Sequence, residues 1–269
     1  MTLQYNSGVV VENGCTMYLQ RELWLKKHSQ EKLPPWPCPR ACGGTLQAQK
    51  KSFASESTHE SLQHRDNERW ELDWDRGVIV GLLLCSRCME AVAIGGDQTQ
   101  AYEFDWDQVT NQPSPYFEQF IRPVWFHPPL PFFPVPDDVP EEVRTPLMEA
   151  FATAWVSPSS AAARIRAALE TLMDANKVQR KKRKTNGTYY ELKLHPRLEI
   201  FGEKHPKIQE HLLAAKWLGN VGAHESDLSD DVLLDAFEFV SIVLHHLYDD
   251  RVKRADDRVR VVNKSKGKK

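Results

Sequence analysis

Cysteine pairs are the residues of this sequence whose spacing most directly implies chemistry. Cys38-Pro39-Arg40-Ala41-Cys42-Gly43-Gly44 and Cys85-Ser86-Arg87-Cys88 are two close pairs, with three and two intervening residues. Each pair can supply two thiolates to one tetrahedral zinc ion. Four soft, deprotonated sulfurs close the coordination shell, so such an ion is structural and holds no reactive water. The glycines after Cys42 allow the backbone to turn tightly around a metal. Two disulfides are the competing reading, and a reducing cytoplasm disfavours them. Cys15 is left over as an ordinary thiol.

A second segment carries a different chemistry. In Lys216-Trp217-Leu218-Gly219-Asn220-Val221-Gly222-Ala223-His224-Glu225 the residues 216, 220 and 224 stack one turn apart on a helix, which puts an ammonium, an amide and an imidazole on one face. Imidazole titrates near neutrality and suits proton transfer. The bland alternative is a polar clasp, in which Arg166 and Glu170 of a neighbouring helix form a pair that bonds to Asn220 and His224. Gly219 and Gly222 would then serve close helix approach, and Arg164 would face solvent.

The elements that must position these groups change character along the chain. Residues 69–75, 77–84 and 91–94 read as strands around the second cysteine pair, so the two pairs mounted on hairpins predict a zinc ribbon. Residues 49–68 between the pairs are polar and aperiodic, which predicts a surface insertion. From Gln112 to Pro140 prolines recur with aromatics between them, which predicts an extended connector rather than a central strand. Beyond Asp137 the apolar period is helical, with Val139–Ala154, Pro158–Met173, 207–218 and 230–248 as four amphipathic helices of a bundle. Residues 176–206 predict an irregular excursion or a small hairpin. His245 and His246 close the last of these helices, where positive charge is favoured without any catalytic role.

The expected architecture is therefore α+β. A segment over 1–30 precedes a zinc-ribbon domain over 31–111, a proline and aromatic linker over 112–136, a helical domain over 137–250 and a basic tail over 251–269. Hydrophobic residues at 41% and charged residues at 27% of the 269 describe a globular chain. No apolar run is long enough to span a bilayer, and the N-terminus lacks the charge order of a signal peptide, so a cytoplasmic protein with no membrane partner is expected. Net charge is only −2, yet Arg180-Lys181-Lys182-Arg183-Lys184 is a compact basic run and the tail is basic too. Both are candidate phosphate contacts, although such runs are also common in solvated loops.

Arg164-Ile165-Arg166-Ala167-Ala168-Leu169-Glu170, followed after a variable middle by Lys216 to His224, resembles domain-of-unknown-function family 4145. The resemblance covers about residues 137–250. It implies a helical HEPN-like domain, often preceded by a zinc ribbon, in prokaryotic cytoplasmic proteins of anti-phage defence. HEPN ribonucleases cut RNA without a metal. On that analogy His224 would be the acid or base, Asn220 would orient it, and Lys216 would be the nearest cation, with Arg166 and Glu170 in support. Such nucleases are similar to one another in having an arginine separated from the histidine by four to six residues, and here that window holds Trp217, Leu218 and Gly219. Lys216 and His224 would stand about 12 Å apart along the axis, too far to share one phosphate. The expectation is therefore a non-catalytic zinc-ribbon and helical module that binds RNA, DNA or a defence-system subunit. A metal-independent endoribonuclease using His224 is the alternative. A homodimer is expected in both cases, because the last helix is apolar on more than one face.

Overall fold

The computed structural model describes residues 19–24, 27–49, 51–107, 111–224 and 228–267, apart from the side chains of residues 107, 222–224 and 250–253. After a single 3-10 turn at Arg21–Trp24 come β1 (His28–Ser29), β2 (Leu46–Ala48), β3 (Ala54–Ser57) and α1 (His59–His64). The long strands β4 (Arg76–Cys85), β5 (Ala91–Asp107) and β6 (Gln112–His127) follow. Helices α2 (Glu141–Thr153) and α3 (Pro158–Ala175) lead to a hairpin of β7 (Lys181–Arg183) and β8 (Tyr189–Glu191). The chain ends in α4 (Leu194–Lys204), α5 (Pro206–His224), α6 (Asp230–Tyr248) and α7 (Asp250–Ser265). The molecule is thus α+β, with a sheet-rich half that carries the cysteines and a helical half behind it.

One antiparallel sheet runs β1-β6-β5-β4-β2, and β3 pairs with β4 farther along the edge that β2 occupies. Alternation in β4 explains its placement. Gly77, Ile79, Gly81, Leu83 and Cys85 point inward while Val78, Val80 and Leu82 point out. The helices are set by their caps as well as by their apolar stripes. Ser157 Oγ accepts from the Ser160 amide at the start of α3, and Ser229 does the same for Val232 at the start of α6.

Aromatic rings join the two halves. Trp24 stacks on Phe132 with centroids 4.1 Å apart, and Phe132 lies 4.6 Å from Phe237 of α6. Phe126, at the end of β6, meets Trp155 at 4.8 Å and Trp36 at 5.1 Å. All of these rings are buried in one continuous core. Arg21 adds ion pairs to Asp235 and Glu238 of α6.

Several expectations are corrected. Residues 112–127 are not a connector but strand β6, which pairs with β5 over nearly its whole length. Its prolines are tolerated because β6 is a sheet edge there, with β1 reaching only Phe120 and Ile121. Residues 69–75 form turns and a 3-10 segment at Leu72–Trp74 instead of a strand. Asp75, which follows that turn, is buried against the Arg65 guanidinium at 3.0 Å. The stretch 49–68 is not merely an insertion, since β3 extends the sheet and α1 is capped by Thr58. The four expected helices are α2, α3, α5 and α6, while α4 is an additional one. Residues 251–265 continue as α7 rather than as a frayed tail. The apolar faces of α6 are spent within the chain, where Leu233, Phe237, Val240 and Leu244 are all buried.

Candidate metal centre and nucleic-acid interface

The sheet brings the two cysteine pairs together because β2 pairs with the end of β4, with Leu46 opposite Cys85. Each pair sits on a tight turn held by backbone bonds. Ala41 donates to the Cys38 carbonyl at 2.9 Å, and Met89 donates to the Cys85 carbonyl at 3.1 Å. The residue after each second cysteine takes a left-handed conformation, Gly43 at φ 79° and Met89 at φ 62°. Ala41, the extra residue of the longer loop, does so too at φ 50°. The turns are tied to each other where Ser86 donates its amide to the Thr45 carbonyl at 2.9 Å and Arg87 donates to the Cys42 carbonyl at 2.6 Å.

The four Sγ atoms of Cys38, Cys42, Cys85 and Cys88 all lie within 4.8 Å of one another. Cys38 and Cys88 are 3.6 Å apart and Cys42 and Cys85 are 3.4 Å apart. A tetrahedral ion with Zn–S bonds of about 2.3 Å needs sulfurs about 3.8 Å apart. The thiols are unpaired and far beyond disulfide bonding. A Cβ at Gly44 would stand 2.6 Å from the Cys85 sulfur, so only glycine leaves that sulfur its place. Burial raises the Cys38 thiol. At Cys85 the same burial is outweighed by hydrogen bonds from the Cys88 and Arg87 backbone amides, and the thiol falls to about 6. Amides aimed at sulfur favour a thiolate, which is the ligand form a soft cation takes. Four such sulfurs fit one metal ion.

On the helical side, Arg166 of α3 donates to Asn220 Oδ1 of α5 at 2.7 Å and reaches Glu170 at 3.4 Å. Gly219 makes this possible. A Cβ there would lie 3.1 Å from the Ala162 carbonyl and 3.3 Å from the Arg166 Cβ. Lys216 is buried, with its Nζ 3.2 Å from the Trp217 ring centroid. Burial, and then the Arg166 charge, lower its pKa. The structure therefore brings Lys216, Asn220, Arg166 and Glu170 together at the seam of α3 and α5. His224 ends α5, but its side chain lies outside the described residues, as do Glu225 and Cys15. Arg164 pairs with Glu149 at 2.9 Å on the surface.

The basic run forms the hairpin of β7 and β8. Lys181, Lys182, Arg183 and Lys184 are exposed, and the register sets Lys182 opposite Tyr190 and Arg183 opposite Tyr189. Both tyrosines are exposed, at 66% and 40% for Tyr189 and Tyr190. Lys184 Nζ lies 5.8 Å from the Tyr190 ring centroid. Arg180 differs from the others, because its Nε and one terminal nitrogen engage Asp174, at 2.8 and 2.5 Å. Asp174 also accepts from the buried Arg197, so Arg180 anchors the hairpin to the end of α3. Sequence reasoning missed Asp174, Arg197 and the two tyrosines. Only Tyr189-Tyr190 carried a signal, as adjacent aromatics in a polar stretch.

Among the described residues no helix is long and apolar enough to cross a membrane. Neither the curated proteins nor the solved structures gave a significant match to the chain. Residues 26–126, which hold all four clustered cysteines, match a domain of unknown function, DUF8608. Residues 148–265, from within α2 through α7, match the family to which the Arg164–Glu170 and Lys216–His224 segments pointed, DUF4145, a domain of unknown function.

Proposed function

We propose that the chain is a non-catalytic module in which a zinc-stapled sheet and a helical domain together bind nucleic acid. The observation that carries the binding reading is the β7–β8 hairpin, where four exposed cations flank two exposed tyrosines. Cations neutralise phosphates and release counterions, and aromatic faces stack on unpaired bases. Single strands, whose bases are free to stack, are the preferred ligand on this reading. A partner subunit of an anti-phage defence system is the setting favoured by the resemblance of the helical half. A cytoplasmic homodimer is the assembly in which it would act.

Zinc is the metal best suited to Cys38, Cys42, Cys85 and Cys88, because four thiolates at tetrahedral spacing select a soft ion without leaving an open position. Its role would be to hold the end of β4 against β2, not to react. The non-catalytic reading is supported at Asn220, whose amide oxygen is already engaged by Arg166, and at Lys216, whose ammonium is turned onto Trp217.

Two measurements test this. Binding of a labelled single-stranded oligonucleotide is expected to weaken with salt, and replacing Lys181, Lys182, Arg183 and Lys184 by alanine lowers the slope of log K against log salt by about 3 for a single strand. An unchanged slope rejects the hairpin as the interface. Cleavage of RNA in the presence of chelator, abolished in His224→Ala, overturns the non-catalytic reading in favour of a ribonuclease. Metal analysis of protein purified under reducing conditions is expected to find one zinc per chain, released by a thiol-reactive mercurial; protein free of metal sinks the zinc assignment.

A further inference from the structure

Strands β5 and β6 run on well past the sheet. The pairing of β5 with β4 ends at Thr99, and β6 leaves β1 at Phe120, so residues 100–107 and 112–119 form a two-stranded arm with no third strand among the described residues. Its register sorts the side chains by face. Tyr102 is opposite Phe117, Phe104 opposite Pro115 and Trp106 opposite Pro113. These six share one face, and that face continues the inward side of β5 that carries Val92, Ile94 and Gln98. The other face carries Glu103, Asp105 and Glu118, with Tyr116 among them.

The uncharged face is open. Tyr102, Phe104, Trp106 and Phe117 are exposed by 64%, 68%, 57% and 48%. Solvated two-stranded ribbons are marginally stable, and soluble proteins seldom leave contiguous aromatic surface uncovered. Summed over the six side chains, the exposed area is roughly 700 Å², against about 800 Å² per partner in a standard stable interface. The face has no charge to pair and asks for a partner surface of the same apolar chemistry, which it offers to a copy of itself. The carboxylates behind it repel phosphate-bearing partners and prevent a second arm from stacking on the reverse side. Association by this surface therefore closes at two.

We propose that the arm is the dimer interface, with two copies packed about a two-fold axis, aromatic face on aromatic face. This rests on the dimeric reading above and assigns its surface. In such an isologous contact each substitution acts twice, once from each copy.

Sedimentation equilibrium of the full chain over a wide concentration range tests it. The wild-type chain is expected to dimerise, and the double variant Phe104→Glu/Phe117→Glu to sediment as a monomer with unchanged circular dichroism. The dissociation constant should rise roughly a hundredfold or more, as expected for loss of central aromatic contacts. The milder Tyr102→Ser/Phe104→Ser variant guards against misfolding and should shift the equilibrium in the same direction. A wild-type chain monomeric at every concentration overturns both the dimer and its proposed interface. A dimer untouched by both arm variants, or dispersed instead by Val259→Glu/Val262→Glu on the exposed stripe of α7, overturns the arm and leaves the dimer standing. Monomeric wild-type protein that pellets with phosphatidylcholine vesicles, where the arm variant does not, reassigns the face to lipid and overturns the proposal.

Discussion

Asp174 sits between two guanidinium groups, and its chemistry shows how the helical half holds the hairpin. The hydrogen bonds from Arg180, and after them those from Arg197, hold its carboxyl below the usual carboxylate range, against the opposing effect of partial burial. A depressed folded-state pKa means that the carboxylate stabilises the fold fully above its unfolded pKa of about 3.9, and that this contribution disappears as pH falls through the lower folded value. Asp174→Asn is therefore expected to cost about 2 kcal/mol near neutrality, partly because Arg197 is left buried without its charge partner. Urea midpoints measured at neutral pH and in acid check this, with the gap between variant and wild type closing as the solution is acidified. At this scale the cysteines were legible, because two close pairs are already a ligand set. The Arg166–Asn220 contact was legible too, since both residues fall on apolar-period helices at positions facing a neighbour. The Asp174–Arg197 pair was not. Its partners belong to different helices separated by the hairpin, and no local period links them.

Elements rather than residues decide how α5 meets α3. Gly219 brings the backbones so close that a Cβ there would stand 3.1 Å from the Ala162 carbonyl, tighter than ordinary van der Waals contact. Gly219→Leu is expected to destabilise by about 3 kcal/mol through forced separation of the helices. Denaturant unfolding measures it, and an unchanged midpoint would show that the seam yields. The sequence made α2, α3, α5 and α6 plain through their stripes and caps. It showed only the first residues of β5, at 91–94, and concealed the rest of β5 and all of β6 for a specific reason. Residues 101–107 alternate polar and aromatic in a strand period, but the prolines of the partner strand argue against a sheet, and only the structure reveals that β6 is an edge there. The basic run lies in a stretch whose sequence leaves an irregular excursion or a small hairpin open, and it is ordered as a hairpin whose base is fixed by Arg180.

Across the whole molecule, stability is shared. Phe132 touches Trp24 on one side and Phe237 on the other, so the sheet and the helices cannot separate without exposing aromatic surface. Phe132→Ala is expected to cost about 4 kcal/mol, within the range for a buried phenylalanine. Calorimetry should show one cooperative transition for the wild type, lowered as a unit in the variant; two resolved transitions would contradict a common core. The notion of two domains on a connector followed from the change of period at Asp137, and periodicity is blind to a core built from both sides.

The position of Phe132 has a further meaning for how such chains are assembled. The two family matches end at residue 126 and resume at residue 148, and the buried Leu130, Phe132, Phe133, Val139, Val143 and Leu147 fall between them. Part of the filling that marries the halves thus lies outside both matches, while Phe126, Trp155 and Phe237, which meet it, lie inside them. A gene fusion that exchanged one half at its family boundary would discard this filling and strip Trp24 and Phe237 of their contact with Phe132. Recombination of these two families into a folded protein accordingly requires the inherited seam of residues 127–147 to travel with them, or a new one of the same shape to be selected.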